Sequence, residues 1–187
     1  MQLLQAIEAY TPQNEQEQQD QQQMLQYLSA HPECVYRSDS MAHFTASVWV
    51  VDESCTKTLM VYHNLYDSWS WIGGHADGEQ DLCAVAMREL QEETGLQNAV
   101  LLSNEIFSLE TLTVSGHVKK GVWLPSHLHF NLTYLAQAGE NEPLRSKPDE
   151  NKAVRWMPFE EALSSSTEPW MVQNVYRKLV DRCRKTQ

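Results

Sequence analysis

The spacing of apolar residues changes rhythm along the chain, and each change marks an element. Phe44-Thr45-Ala46-Ser47-Val48-Trp49-Val50-Val51 and Thr58-Leu59-Met60-Val61-Tyr62-His63 are rich in β-branched and aromatic residues. They predict two strands joined into a hairpin by the polar turn Asp52 to Lys57. Trp69-Ser70-Trp71-Ile72 runs into the glycine pair Gly73-Gly74. From Leu82 the period lengthens, and Leu82, Cys83, Ala86, Met87 and Leu90 fall on one helical stripe. Asp81 is placed to cap that helix and Gly95 to end it. Ala99 to Leu102 and Ile106 to Val114 predict strands, and Ser115 to Ser126, with Lys119 and Lys120, predicts a long loop.

His127 to Tyr134 alternates strictly, with Leu128, Phe130, Leu132 and Tyr134 on one face of a strand. The other face carries His127, His129, Asn131 and Thr133. That face either borders a substrate pocket, with His127 and His129 as ligand-binding groups, or is an ordinary solvated sheet face. His43 and His63, at strand ends, read as hydrogen-bonded structural residues. A charged turn then leads through Pro148-Asp149-Glu150 into a strand ending near Trp156. Phe159 to Leu163 begins a helix. Pro169 to Lys185 forms an amphipathic helix with Met171, Val175, Leu179 and Cys183 inward and its basic residues late, as the helix dipole favours.

The amino-terminal part is different in kind. Leu3 to Ala9 predicts a short helix that Pro12 ends. The glutamine-rich stretch from 13 to 31 carries Met24, Leu25, Tyr27 and Leu28 at spacings that suit a helix with a narrow apolar edge. The expectation is a helical extension over residues 1–36, packed on the main body or on a second subunit of a homodimer. Residues 37–187 then form one domain.

Composition narrows the partners. A net charge of -11 speaks against holding a nucleic-acid backbone with basic patches. No stretch approaches the roughly 18 apolar residues of a membrane helix. Cys34, Cys55, Cys83 and Cys183 lie far apart without zinc-finger spacing, as free thiols in a reducing compartment would. A soluble, cytoplasmic protein is expected.

The chemistry lies in Trp71 to Leu96, WIGGHADGEQDLCAVAMRELQEETGL. On the predicted helix Glu89, Glu92 and Glu93 are spaced i, i+3, i+4 and share one patch. They border the apolar stripe instead of opposing it, so they sit where the helix meets the rest of the protein. Three like charges repel, and a hard divalent cation is the usual reason to keep them together. Arg88 can brace Glu92 in an i, i+4 pair.

This segment resembles the box of the Nudix hydrolases, G-x5-E-x7-R-E-(apolar)-x-E-E-x-G-(apolar). Arg88 to Leu96 match every specified position. Before them the spacing departs: counting back from Arg88 gives Gly74 and Gln80, and the acid, Glu79, comes one residue early. Whether Glu79 turns inward is left open. The resemblance implies an α/β fold, an α/β/α sandwich with a mixed central sheet. It implies Mg²⁺ or Mn²⁺ held by Glu89, Glu92 and Glu93, and hydrolysis of a diphosphate joined to another moiety in a small metabolite. Arg88 would orient the acids, and the amides of Gly73 and Gly74 would meet phosphate oxygens. Glu150, or failing it Asp149, would add a ligand or the general base, a role Glu93 could share. Two alternatives stay open, a Nudix-like domain that only senses its ligand and an isoprenoid diphosphate isomerase, which would need a cysteine in the pocket.

Overall fold

The computed structural model describes residues 3–119 and 121–185; Lys120 lies outside them. Two helices come first, α1 (Leu3–Ala9) and α2 (Glu15–Ala30), the second capped by the Asn14 side chain. A 3₁₀ turn at Pro32–Val35 leads into β1 (Ala42–Val51). There follow β2 (Lys57–His63), β3 (Ser68–Ser70), β4 (Ile72–His75) and the helix α3 (Leu82–Thr94). The chain continues through β5 (Val100–Leu101), β6 (Ser108–Val114), β7 (His117–Lys119), β8 (Val122–Leu124), β9 (His127–Gln137) and β10 (Asn151–Pro158). It closes with α4 (Phe159–Ser165), α5 (Pro169–Met171) and α6 (Arg177–Lys185), the last two joined by a π-helical segment at Val172–Tyr176.

The central sheet is mixed. β1 and β9 run parallel in unbroken register from Ala42↔Leu128 to Val51↔Gln137. Around this pair the order is β10-β2-β1-β9-β5, with β3 on β2, β4 on β1 and β6 on β9, all antiparallel. β1 is buried at every residue, the burden of a strand covered on both faces. Phe44, Ala46, Val48, Phe130 and Leu132 face one side and share a core with Leu82, Val85, Ala86 and Leu90 of α3. Leu3, Ile7 and Met24 of the amino-terminal helices belong to that same core. Trp49, Val51, Trp71 and Met60 pack on the other side against Val175, Tyr176, Leu179 and Cys183. The result is a sandwich of helices on both faces of a sheet.

Two elements differ from the sequence expectation. Within the expected loop, His117–Lys119 and Val122–Leu124 pair as a separate hairpin, β7 on β8. Gly121 at φ 80° makes its turn, a conformation open to glycine. The carboxy-terminal helix is interrupted by the π segment, where Tyr176 enters the core beside Trp49 and Trp71.

Much of the polar face of β9 is buried. Thr45 and Ser47 of β1 donate to the Asn131 side-chain oxygen at 3.0 and 2.9 Å, and Thr133 donates to Glu110. Glu110 meets Lys178 of α6 at 2.9 Å, and Lys178 also meets Glu17 of α2 at 3.0 Å. Arg182 completes the group with a 2.6 Å contact to Glu17. A largely buried charged network, its two acids fully covered, therefore ties α2, β6 and α6 together, so that the amino-terminal extension is anchored by ion pairs as well as by apolar contact.

Candidate active site

The glycine loop and α3 bring the carboxylates into place. Asp81 accepts from the Ala84 amide at the start of α3, and Gly95, at φ 79°, ends it. Glu79 is exposed and accepts from the Asp81 amide at 2.9 Å, so it shapes the approach to the helix and stays outside the cluster. Between these ends the helix turns Glu89 and Glu93 toward β4. A Cβ on Gly74 would overlap the Glu89 carboxylate, so only glycine lets that side chain lie against the strand. Gly73 is as constrained from the other direction, by the Ala46 carbonyl and Ser47. The Gly73 N–H donates to Glu93 and is thereby committed within the protein.

Glu89, Glu93 and Glu150 offer carboxylate oxygens that all lie within 4.8 Å of one another. Glu150 arrives from the far end of the sequence, and Asn151, fully buried at the start of β10, holds it there. The Asn151 amide nitrogen donates to the Glu93 carbonyl at 3.1 Å, and its oxygen accepts from the Lys147 N–H at 3.1 Å. One side chain thus fastens the turn bearing Glu150 to the last turn of α3. Asn151 has no counterpart in the sequence reading, because a lone asparagine before a strand carries no periodic signal. Asp149 is exposed and takes no place in the cluster.

Glu92 points elsewhere. Its side chain is 47% exposed against 13% for Glu89, and it meets Lys147 at 3.1 Å and Arg88 at 3.9 Å. Arg88 also contacts Glu89 at 3.3 Å, so it spans the two acids. Lys147 bridges Glu92 and Glu150, at 3.1 Å to each. Burial opposes its charge, yet hydrogen bonds to Glu150 and Glu92 outweigh that and hold the ammonium well above its usual range.

The cluster is electrostatically unsettled. Glu93 is only 4% exposed, and burial, followed by the charges of Glu150 and Glu89, pushes its carboxyl up to about 8. Glu89 is raised too, by burial first and by Glu92, against the pull of Arg88. Arg88 and Lys147 lie at the edge of the three converging acids and leave Glu93 and Glu89 raised, and oxygen donors at this spacing suit a hard divalent ion.

His127 and His129 lie on the other face of the sheet from α3. His129 is in register with His43 across the β1–β9 pair, and His75 of β4 is opposite Thr45. These four rings gather into a second cluster.

The sequence profile of the NUDIX domain matches residues 41–183. The chain belongs to the NUDIX domain family. As a Nudix protein it is a pyrophosphohydrolase, with the box on α3 and the loop before it. None of the curated proteins compared with it matches in sequence. Solved structures share the fold. A C. elegans Ap4A hydrolase in a binary complex aligns over 76% of this chain and 98% of its own, at 18% identity and a TM-score of 0.57. The E. coli dihydroneopterin triphosphate pyrophosphohydrolase aligns over 74% and 95%, at 13% identity and 0.55. A NUDIX-family hydrolase from Clostridium perfringens aligns over 73% and 95%, at 21% identity and 0.51. Among the described residues no cysteine joins the carboxylates, and no helix is long and apolar enough to cross a membrane.

Proposed function

We propose that this Nudix domain is a divalent-metal-dependent hydrolase that cleaves a diphosphate linkage in a nucleoside diphosphate-linked or related phosphorylated metabolite. The convergence of Glu89, Glu93 and Glu150 within 4.8 Å carries the reading. Two of the structural relatives are named for Ap4A and for dihydroneopterin triphosphate, and a phosphoanhydride of that class is the bond we assign.

The donor set fits Mg²⁺ or Mn²⁺: oxygen ligands only, one of them buried and short of a counter-charge. Glu89 and Glu93 would hold the ion from α3 and Glu150 from the turn before β10, with Glu92 joining once a ligand phosphate draws Lys147 away. A bound ion would supply neutralisation of phosphate oxygens and a lowered pKa for the attacking water. Arg88 keeps Glu89 and Glu92 oriented, and the Gly73 N–H fixes the rotamer of Glu93. Glu150, whose side chain is 40% exposed, is the most accessible of the three converging acids, and we assign it to accept the water's proton. Lys147 is placed to meet substrate phosphate.

Glu93→Gln and Glu150→Gln separate these roles. The first is expected to weaken Mg²⁺ binding, measured by calorimetry, and to abolish turnover of a diphosphate substrate panel. The second is expected to lower kcat by about 10²–10⁴ with smaller loss of metal affinity. Full Mg²⁺-dependent turnover in both variants would refute the reading.

A further inference from the structure

We infer that His43, His75 and His129 form a second metal site, for a borderline divalent ion of the zinc class, distinct from the carboxylate cluster. Each offers a ring nitrogen, and these atoms all lie within 4.8 Å of one another. In tetrahedral coordination with Zn–N bonds of about 2.1 Å the nitrogens would be about 3.4 Å apart, within reach of small side-chain rotations.

The tautomers favour coordination. His43 is 4% exposed, and its Nδ1 lies 2.9 Å from the Asp39 carbonyl, so Nδ1 carries the proton. Its Nε2 therefore holds a lone pair, and that atom is buried with no hydrogen-bond partner among the described residues. A buried polar atom without a partner costs free energy unless something satisfies it, and a metal would do so. His127 follows the same pattern, with Nδ1 at 2.9 Å from the Pro125 carbonyl. Its Nε2 then accepts from His129 Nε2 at 3.2 Å, leaving the other ring nitrogen of His129 with a lone pair. An imidazole whose second nitrogen donates to a backbone carbonyl, as His43 does, is a usual support of a metal-bound histidine. His127 also stacks on His43, with centroids 5.0 Å apart, so it braces two of the three rings.

Charge points to the same class of ligand. His43 is buried and His75 and His129 are half-buried, surroundings that disfavour an added proton and leave ring nitrogens free to coordinate. Neutral imidazoles suit zinc, copper or nickel better than magnesium. Arg37 and Lys119 stand near His75, with Asp77 partly offsetting Arg37. Those cations favour an anion as the fourth ligand. The side chains approach from β1, β4 and β9, on the sheet face opposite α3, since Gly74 on the same short strand faces Glu89. The site would thus clamp the strand that carries the glycine loop.

The test titrates metal-free, full-length protein with Zn²⁺ under saturating Mg²⁺, by calorimetry, and with Co²⁺ by visible absorption. One equivalent of Zn²⁺ and a Co²⁺ spectrum typical of nitrogen ligands are expected in the unmodified chain. His75→Ala and His129→Ala should each weaken Zn²⁺ binding at least about 100-fold, while Glu93→Gln leaves it unchanged. Failure of the unmodified chain to bind Zn²⁺ under these conditions would overturn the inference, whatever the folding of the variants. So would binding lost in Glu93→Gln and kept in both histidine variants, which would assign the ion to the carboxylates. The outcome is independent of hydrolytic activity.

Discussion

Glu93 shows how a single side chain can be legible in type and illegible in state. Its place in the box follows from the pattern Arg88 to Leu96, but its proton affinity depends on burial and on Glu150, which lies 57 positions further along the chain. Without metal, the folded protein keeps a proton on Glu93 up to about pH 8, whereas the unfolded chain releases it near 4.5. The folded state is therefore favoured below 4.5 and loses that advantage as pH rises through 8. Urea unfolding of metal-free protein at pH 5 and pH 8.5 should show Glu93→Gln gaining on the unmodified chain by on the order of 1 kcal/mol or more between the two. The buried histidines titrate equally in both proteins and cancel in the comparison. A constant difference across that range would show that Glu93 ionises normally.

At the scale of elements, the strands and helices that form the sandwich follow from periodicity, because each has one apolar face to bury. What the sequence does not carry is the meeting of elements distant along the chain. The parallel register of β1 and β9 sets His43 beside His129, and no local pattern announces that pairing. The hairpin at 117–124 escaped because Val118, Val122 and Trp123 are largely exposed, leaving no buried face to impose alternation. Glu150 is singled out only by the resemblance, and Asn151, which joins its turn to α3, carries no sequence signal. Asn151→Ala should lower kcat by about 10²-fold through misplacement of Glu150. As a positioning residue it should leave the pH profile of the residual activity unchanged, whereas Glu150→Gln removes the limb due to the base. Activity equal to the unmodified protein would deny Asn151 this role.

Across the whole molecule, the amino-terminal helices are part of the structure that supports the site. The glutamine-rich stretch hides Glu17, a fully buried carboxylate among many solvated side chains, and composition alone gives no hint of it. Glu17 accepts from Tyr10 at 2.8 Å and from the Gln13 amide at 2.9 Å, and meets Lys178 and Arg182. Its carboxyl is held below the usual range: burial pulls upward, and Lys178, the Gln13 amide and Arg182 more than compensate. Removing one member leaves buried charge uncompensated, so Glu17→Ala should cost roughly 3–5 kcal/mol in urea unfolding. A loss under about 1 kcal/mol, the range of exposed pairs, would mean that water reaches the network.

That network also sets an order in time. Glu17 precedes Arg182 by 165 residues, so at 5–20 residues per second a nascent chain waits on the order of 10–30 s between making the acid and making its partner. Until then α2 has its apolar edge but neither Lys178 nor Arg182 for Glu17, and it is secured only once α6 has been made. Chains that stop short of α6 would carry that unpaired acid beside Ser108 and Glu110, a mark by which an incomplete copy differs from a finished one.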